Sequence, residues 1–347
     1  GLTNEGAFTL FRSHKKKSEL DDALEILNYL ETTSAHHLRA LFEKGLLYFE
    51  KADYSSAMAC FRKCSSGDFS DASLYWQAKT YERLGEEESS QRVLLTLQTQ
   101  FPLSYYSYRA YSVTHVLPAY RFEEAEIAHP ANVALPPRLQ TLLESSAYDD
   151  AFHEFKTFYR HRTDYRHSLT SYLMDKGEYF YVMRLSEPTA NVNITYPRPY
   201  FKHIETALSS NTLDPYLVTA LMREESNFNS LAVSSSGARG LMQLMPFVAK
   251  DMAKRMNIET YDLFVPTDNM VFGLAHLKYD VQSLGILKGI AAYNAGIGAV
   301  NRMRKIEDID LFAENIPIAE TNYYVKKVLR SYWIYKLLYD NQHIAQF

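Results

Sequence analysis

Leu41-Phe42-Glu43-Lys44-Gly45-Leu46-Leu47-Tyr48 and Leu74-Tyr75-Trp76-Gln77-Ala78-Lys79-Thr80-Tyr81 are one pattern written twice, 33 residues apart. Leu41, Gly45 and Tyr48 correspond to Leu74, Ala78 and Tyr81, and further on Phe61 corresponds to Leu94. Small, apolar and aromatic residues at these spacings mark helices. A period of about 33–34 residues resembles that of tetratricopeptide-type helix pairs. One pair cannot bury its apolar face alone, so neighbours stack into a superhelix. Gly85 and the Phe101-Pro102 step close the last clear pair.

Outward from this repeat the helical pattern continues. Upstream, Asp22-Ala23-Leu24, Leu27 and Leu30 recur at helical spacing. Downstream, Pro118, Pro130, Pro136 and Pro137 interrupt it, because proline is disfavoured inside helices. Leu139, Leu142, Leu143, Phe152, Phe155, Phe158 and Tyr159 restore it, and Pro188, Pro197 and Pro199 break it again. No run alternates as a strand does. The expected fold is therefore all-α, with a superhelical domain over 1–137, a helical connector over 138–190 and a separate compact domain over 191–347.

Composition narrows the function. Of 347 residues, 46% are hydrophobic, enough for sizeable cores. The net charge of −4 and pI of about 6.3 speak against a nucleic-acid partner. The one dense basic run, His14-Lys15-Lys16-Lys17, reads as a solvated tail or helix end. No apolar stretch approaches the ~18–20 residues needed to span a bilayer. The small, polar opening residues Gly1-Leu2-Thr3-Asn4 do not read as a signal peptide. Cys60 and Cys64, four apart on a helix, sit near the ~6 Å edge of disulfide reach. Two small buried residues is the plainer reading, and the redox compartment stays open. His36, His37, His153, His161 and His167 show no metal-ligand spacing, and neither a metal nor an organic cofactor is implied. The 27 tyrosines suit helix packing and carbohydrate faces alike, with packing favoured.

The chemistry concentrates in the C-terminal half. Asp214 is a good N-cap and Pro215 suits the first helical position. Leu217, Val218, Leu221 and Phe228 then form an apolar stripe. At about 100° per residue from Leu217, Glu225 falls near 80° and Glu224 near 340°, so phase does not separate them. A carboxyl beside buried apolar residues resists ionisation and suits a general acid. Val233-Ser234-Ser235-Ser236-Gly237-Ala238-Arg239-Gly240 reads as a loop in which Gly240 permits a close approach. Gln243 offers both donor and acceptor to sugar hydroxyls and acetamides. Ala291-Ala292-Tyr293-Asn294-Ala295-Gly296 reads as a helix end before a glycine-rich turn. There Tyr293 is placed to hydrogen-bond a carboxylate or a sugar oxygen, and Asn294 to cap or bridge.

Taken in order, Glu225-Ser226-Asn227-Phe228, Gly240-Leu241-Met242-Gln243 and Ala292-Tyr293-Asn294-Ala295-Gly296-Ile297-Gly298 resemble the catalytic domain of the soluble lytic transglycosylases. The likeness continues through Asp268-Asn269, Gly273, Ile316-Pro317-Ile318-Ala319-Glu320-Thr321 and Tyr324-Val325-Lys326. It covers Tyr75-Trp76-Gln77-Ala78, Phe101–Tyr106 and Tyr196–Tyr200 upstream. The family usually has Arg-Gly where this chain has Asn322-Tyr323.

The resemblance implies a lysozyme-like α-helical domain behind a superhelix. It implies cleavage of the β-1,4 bond between N-acetylmuramic acid and N-acetylglucosamine in peptidoglycan. The acid falls on Glu225, the Glu directly before Ser, acting first as acid and then as base. The product is then a 1,6-anhydromuropeptide. Ser226, Met242, Gln243, Tyr293, Asn294, Glu320 and Tyr324 fall on positions that bind or orient substrate. A peptidoglycan substrate implies the periplasm. Glycan strands are the expected partner, with cell-wall proteins along the superhelix and a monomer as the default. Two alternatives stand beside this reading: a lysozyme-like hydrolase on the same fold, and a non-catalytic glycan-binding scaffold.

Overall fold

The computed structural model describes residues 3–33, 36–120, 133–186, 192–208 and 213–340. Pro130, Pro188 and the expected boundary at 190 lie outside the described residues. The described residues carry helices and two isolated bridge pairings, Val233 with Arg239 and Arg239 with Leu244, and no strand. By compactness the chain forms two units, one of residues 1–120 with 280–347 and one of 121–279. The cut at 279/280 falls inside the helix Pro266–Leu284. The division into domains at 137 and 190 stays a proposal.

The first unit begins with helix hairpins. Helices α1 (Asn4–Lys17) and α2 (Leu20–Thr33) pack together, as do α3 (His37–Glu50) with α4 (Tyr54–Lys63) and α5 (Ser70–Arg83) with α6 (Glu87–Gln100). Helix α7 (Tyr105–Thr114) follows. The repeated small position shows why the pattern exists. A Cβ on Gly45 would lie 2.6 Å from the Phe61 ring, so glycine lets α3 and α4 close on each other. The second copy has Ala78 and the smaller Leu94 at the corresponding positions, and both are buried. The turns match too: Ala52 and Gly85 both take positive φ, 60° and 75°. Phe8, Phe11, Leu27, Leu30, Ala40 and Leu47 belong to a first core.

Cys60 and Cys64 are free and buried, and the Cys64 thiol donates to the Leu38 carbonyl at 3.4 Å. Burial, then the neighbouring Cys60, pushes the Cys64 thiol up to about 11. His14 and Lys15 close α1, and Lys15 pairs with Glu43 at 2.8 Å, so this basic run is a helix end rather than a loose tail.

In the second unit, α8 (Pro137–Glu144) and α9 (Tyr148–Glu154) precede a π-turn at Phe155–Tyr159. Then come α10 (Thr163–Asp175) and α11 (Tyr179–Leu185). Leu139, Leu143, Phe152, Phe155, Leu169 and Val182 build a separate small core. Helices α12 (Val192–Thr195), α13 (Phe201–Leu208), α14 (Pro215–Ser226), α15 (Pro246–Met256) and α16 (Pro266–Leu284) follow.

The chain end returns to the first unit as α17 (Ile286–Ala295), α18 (Ile297–Asn301), α19 (Ile309–Glu314) and α20 (Ala319–Tyr339). Helix α20 packs on α7 through aromatic rings: Tyr108 meets Tyr332 and Trp333 at 5.7 Å. The Trp333 indole N–H donates to the Pro102 carbonyl at 2.7 Å. Tyrosine therefore serves packing here, as its apolar body and polar tip allow. No helix among the described residues is long and apolar enough to cross a membrane.

Candidate active site

Helix α14 starts as its sequence predicts. Asp214 caps it, accepting from the Tyr216 N–H at 2.8 Å, and Pro215 occupies the first turn. Tyr216 through Met222 are then all buried. The helix is surrounded on every side until its last turn, where Arg223, Glu224 and Glu225 reach intermediate exposure. Helical phase could not separate the two glutamates because no solvent face exists to set the phase against. Phe228, counted in the stripe, lies beyond the helix end at φ 65°.

Tertiary contacts do separate the glutamates. The Glu224 side chain is 1% exposed and pairs with the Arg223 guanidinium. That guanidinium lies 4.2 Å over the Tyr196 ring and donates to the Thr195 carbonyl at 3.3 and 3.4 Å. Glu224 is thus built into the wall, with its charge compensated. Glu225 is half-buried on the same turn.

After Glu225 the chain reverses. Asn227 and Phe228 both take positive φ, 49° and 65°. The buried Ser226 hydroxyl donates to the Leu241 carbonyl at 2.8 Å, which ties the end of α14 to the loop before α15. Gln243 takes φ 46°, and its amide donates to the carbonyls of Gly240 at 3.0 Å and Ala232 at 3.2 Å. Both amide protons are thus used on the protein's own backbone.

Asn269 is the hub of this loop, and sequence reasoning gave it no role. It is 0% exposed, and its amide donates to the carbonyls of Arg239 at 2.8 Å and Leu263 at 2.9 Å. Its oxygen accepts from the Met242 N–H at 2.8 Å. Gly240, at φ 75°, makes room for this hub: a Cβ there would lie 2.2 Å from the Leu263 carbonyl and 2.3 Å from the Asn269 amide nitrogen. The expected close approach at Gly240 is therefore by the protein's own groups. Gly273, one turn on from Asn269, receives the buried Met242, whose sulfur would lie 2.4 Å from an added Cβ. The i, i+4 spacing of Asn269 and Gly273 was the available signal.

The remaining candidates belong to the first unit. Tyr293 and Asn294 are half-buried on the last turn of α17, which Gly296 ends at φ 84°. The Thr321 hydroxyl donates to Asn294 at 2.7 Å, joining this turn to the start of α20. Glu320 is exposed on that first turn, and Tyr324 is buried one turn later. Asn322 donates to the Ala313 carbonyl at 2.6 Å, while Tyr323 is 68% exposed. Glu225, Ser226, Met242 and Gln243 thus group in the second unit, and Tyr293, Asn294, Glu320 and Tyr324 in the first.

An ionic cluster that the sequence did not announce anchors α19. Asp310 accepts from the Arg109 guanidinium at 2.6 Å and the Tyr75 hydroxyl at 2.8 Å, with Lys79 at 3.3 Å. Glu314 accepts from Tyr106 at 2.7 Å and pairs with Lys326 at 2.5 Å. Among the described residues, the side chains grouped as metal ligands would be are His14, Glu19 and Asp22 at the α1–α2 turn. Two of these, His14 and Glu19, already bond each other at 2.7 Å.

A family model described as the Transglycosylase SLT domain matches residues 202–315. A putative soluble lytic murein transglycosylase of Haemophilus influenzae is 32% identical over 164 residues, 44% of this chain and 27% of that protein. The soluble lytic murein transglycosylase of Escherichia coli K12 is 34% identical over 145 residues, 39% of this chain and 22% of that protein. The matches thus span about a quarter of these curated relatives.

Among solved structures, an inactive glutamate-to-glutamine mutant of lytic transglycosylase Slt from Pseudomonas aeruginosa aligns with a TM-score of 0.75. It is 20% identical and covers 97% of this chain and 58% of that one. The 70 kDa soluble lytic transglycosylase of Escherichia coli aligns with a TM-score of 0.70 at 22% identity, over 92% of this chain and 53% of that one. These likenesses carry the fold, an all-α superhelix with a lysozyme-like domain. With the domain match over 202–315 and the curated relatives, the chain is similar to the soluble lytic murein transglycosylases.

Proposed function

We propose that this chain is a lytic transglycosylase. It cleaves the β-1,4 bond between N-acetylmuramic acid and N-acetylglucosamine and releases 1,6-anhydromuropeptides. Glu225 protonates the departing glycosidic oxygen. The carboxylate left behind then takes the proton from the muramoyl C6 hydroxyl as that oxygen attacks the anomeric carbon. One group serves as acid and then base, and no water is consumed. The observation that carries this reading is the division of labour on the last turn of α14: Glu224 is committed to Arg223, while Glu225 is half-buried beside a rigid loop.

The surroundings support the same chemistry. A general acid gains from fixed neighbours, because misplacement by about 1 Å can cost ~10² in rate. Ser226 and Asn269 supply that fixity, and Gln243 presents its amide oxygen for a sugar N–H or hydroxyl. Tyr293, on the turn before Gly296, keeps its role as the orienting phenol. Asn294, Glu320 and Tyr324 keep theirs toward substrate. The name of the Pseudomonas aeruginosa structure, an inactive Glu-to-Gln mutant, is in line with dependence on one carboxyl. A peptidoglycan substrate puts the protein in the periplasm as a monomer acting on glycan strands.

Mass spectrometry of soluble products from purified peptidoglycan tests the reading. Anhydromuropeptides support it, whereas reducing muropeptides would make the enzyme a hydrolase. Glu225→Gln is expected to lose about 10²–10⁴ in turnover. Glu224→Gln is expected to retain turnover and lose thermal stability, since it weakens the partner of the Arg223 guanidinium. Equal loss of turnover in both variants would overturn the assignment.

A further inference from the structure

A cavity of about 140 Å³ opens in the second unit where the π-turn meets α10 and α11, away from the residues proposed for glycan cleavage. Four cations line it, Lys156, Arg160, Arg166 and Arg184, and no carboxylate does among the described residues. The chain as a whole carries −4, so this concentration of positive charge is local. Carboxylates close by in sequence are committed elsewhere. Glu154 pairs with Arg138 at 3.3 Å and Asp164 with Arg162 at 2.6 Å, while Asp149 accepts from the Tyr181 hydroxyl.

The printed order of the chain explains how the cations converge. A π-turn winds through i→i+5 bonds, so Phe155 and Arg160, five apart, come to one side of it, and both line the cavity. Such single turns recur at functional sites. Rings and backbone then hold the cations in place. The Arg184 guanidinium lies 4.5 Å from the Phe152 ring and 5.1 Å from the Phe180 ring. Arg166 donates to the Arg160 carbonyl at 2.6 Å and lies 6.0 Å from the Phe155 ring. The Lys156 ammonium lies 5.6 Å from the Phe152 ring. These contacts orient the cations without neutralising them.

We propose that this cavity binds a phosphate group. Like charges around a small space repel, and a multiply charged anion relieves more of that repulsion than a singly charged one. A phosphomonoester carries about −1.5 to −2 at pH 7 and offers three acceptor oxygens. Guanidinium forks match those oxygens in pairs, and the ammonium adds a point charge. A carboxylate offers one charge and two oxygens, and a neutral sugar offers no counter-charge at all. The volume is below the ~300 Å³ at which ordinary small-molecule sites begin, so the group held is small. Its source is either a soluble phosphate or the headgroup of an anionic phospholipid.

Calorimetric titration of the full chain with inorganic phosphate tests this, with acetate at matched ionic strength as the carboxylate control. Wild type and Glu225→Gln are expected to bind phosphate equally, so the result does not depend on the glycan reaction. The double variant R160Q/R184Q, at two exposed positions, is expected to bind roughly a hundredfold more weakly, about tenfold per guanidinium. R160Q alone, which leaves the ring contacts of Arg184 in place, is expected to lose about tenfold. K63Q/R92Q removes the same charge from exposed positions of the first unit and is expected to bind as wild type does. Absence of phosphate binding, acetate binding as tightly, undiminished binding by R160Q, or an equal loss in K63Q/R92Q would each overturn the proposal. Cosedimentation with phosphatidic acid vesicles, absent with phosphatidylcholine and lost in R160Q/R184Q, supports the site with a lipid source. Phosphate binding without such cosedimentation supports it with a soluble one.

Discussion

The loop after Glu225 and the segment before Glu320 are held by opposite means. The loop is fixed by a neutral amide: Asn269 makes three hydrogen bonds to backbone groups and carries no charge. Helix α19 is fixed by ions: Asp310 and Glu314 gather Arg109, Lys79 and Lys326 with two tyrosine hydroxyls. A neutral hub costs little to desolvate and is indifferent to salt. A buried ionic hub gains little when formed, yet is costly to break, because removing one partner strands the other. The loop proposed to face substrate is therefore insulated from solution conditions, whereas the segment anchoring α20 is a point of sensitivity to mutation.

The most severe break should come at the ions. Asp310→Ala is expected to cost about 3–5 kcal/mol of unfolding free energy, because it strips Arg109 and Tyr75 of a buried carboxylate. Urea denaturation measures this, and a loss near that of an exposed ion pair would erase the contrast. Asn269→Ala is expected to cost less, about 2–3 kcal/mol, by leaving buried backbone groups unsatisfied. Its turnover should fall out of proportion to its stability, since Met242 and Gln243 lose their register. Retained turnover would mean that the loop does not depend on its hub.

A pH titration sharpens the comparison. Burial would raise the Asp308 pKa, but Lys79, the Leu311 N–H and Arg83 outweigh it and hold the carboxyl below its usual 3.8. Its contribution is complete above pH 3.8 and is lost as pH falls through the lower folded value. Asp280, fully buried on α16, goes the other way: burial pushes it up to about 7. The folded state then holds a proton that the unfolded state has released, so stability declines as pH rises from 3.8 to about 7. Melting temperature is expected to fall across that window in wild type and to level out in Asp280→Asn. A flat wild-type profile would reject the assignment.

The smallest effect is expected at the repeat turns. Gly85→Ala should cost about 1 kcal/mol, because φ 75° crowds a Cβ. Ala52→Gly, at φ 60° in the matching turn, should stabilise by a few tenths to about 1 kcal/mol by relieving that strain. Opposite signs at these two positions in chemical denaturation would confirm that the turns are equivalent.

Much of the molecule was legible in its residues. The 33-residue echo of Gly45 and Phe61 in Ala78 and Leu94 specifies helix pairs, because closing two helices requires a small residue opposite a large one. Asp214-Pro215 marks the start of α14 by local hydrogen bonding alone, and Gly296 marks the end of α17 by backbone freedom alone. Such features depend on neighbours a few residues away. Tertiary structure decided what depends on distant partners. Glu224 and Glu225 are equivalent by phase and composition, and only the guanidinium held over Tyr196 commits one of them to the wall. Asn269 is an ordinary helical asparagine until the loop 30 residues upstream folds onto it. Asp310 becomes an anchor only when helices more than 200 residues earlier deliver Tyr75 and Arg109. A hydrogen bond or ion pair is a property of two positions in space, and local spacing encodes only the pairs that share a helix or a turn.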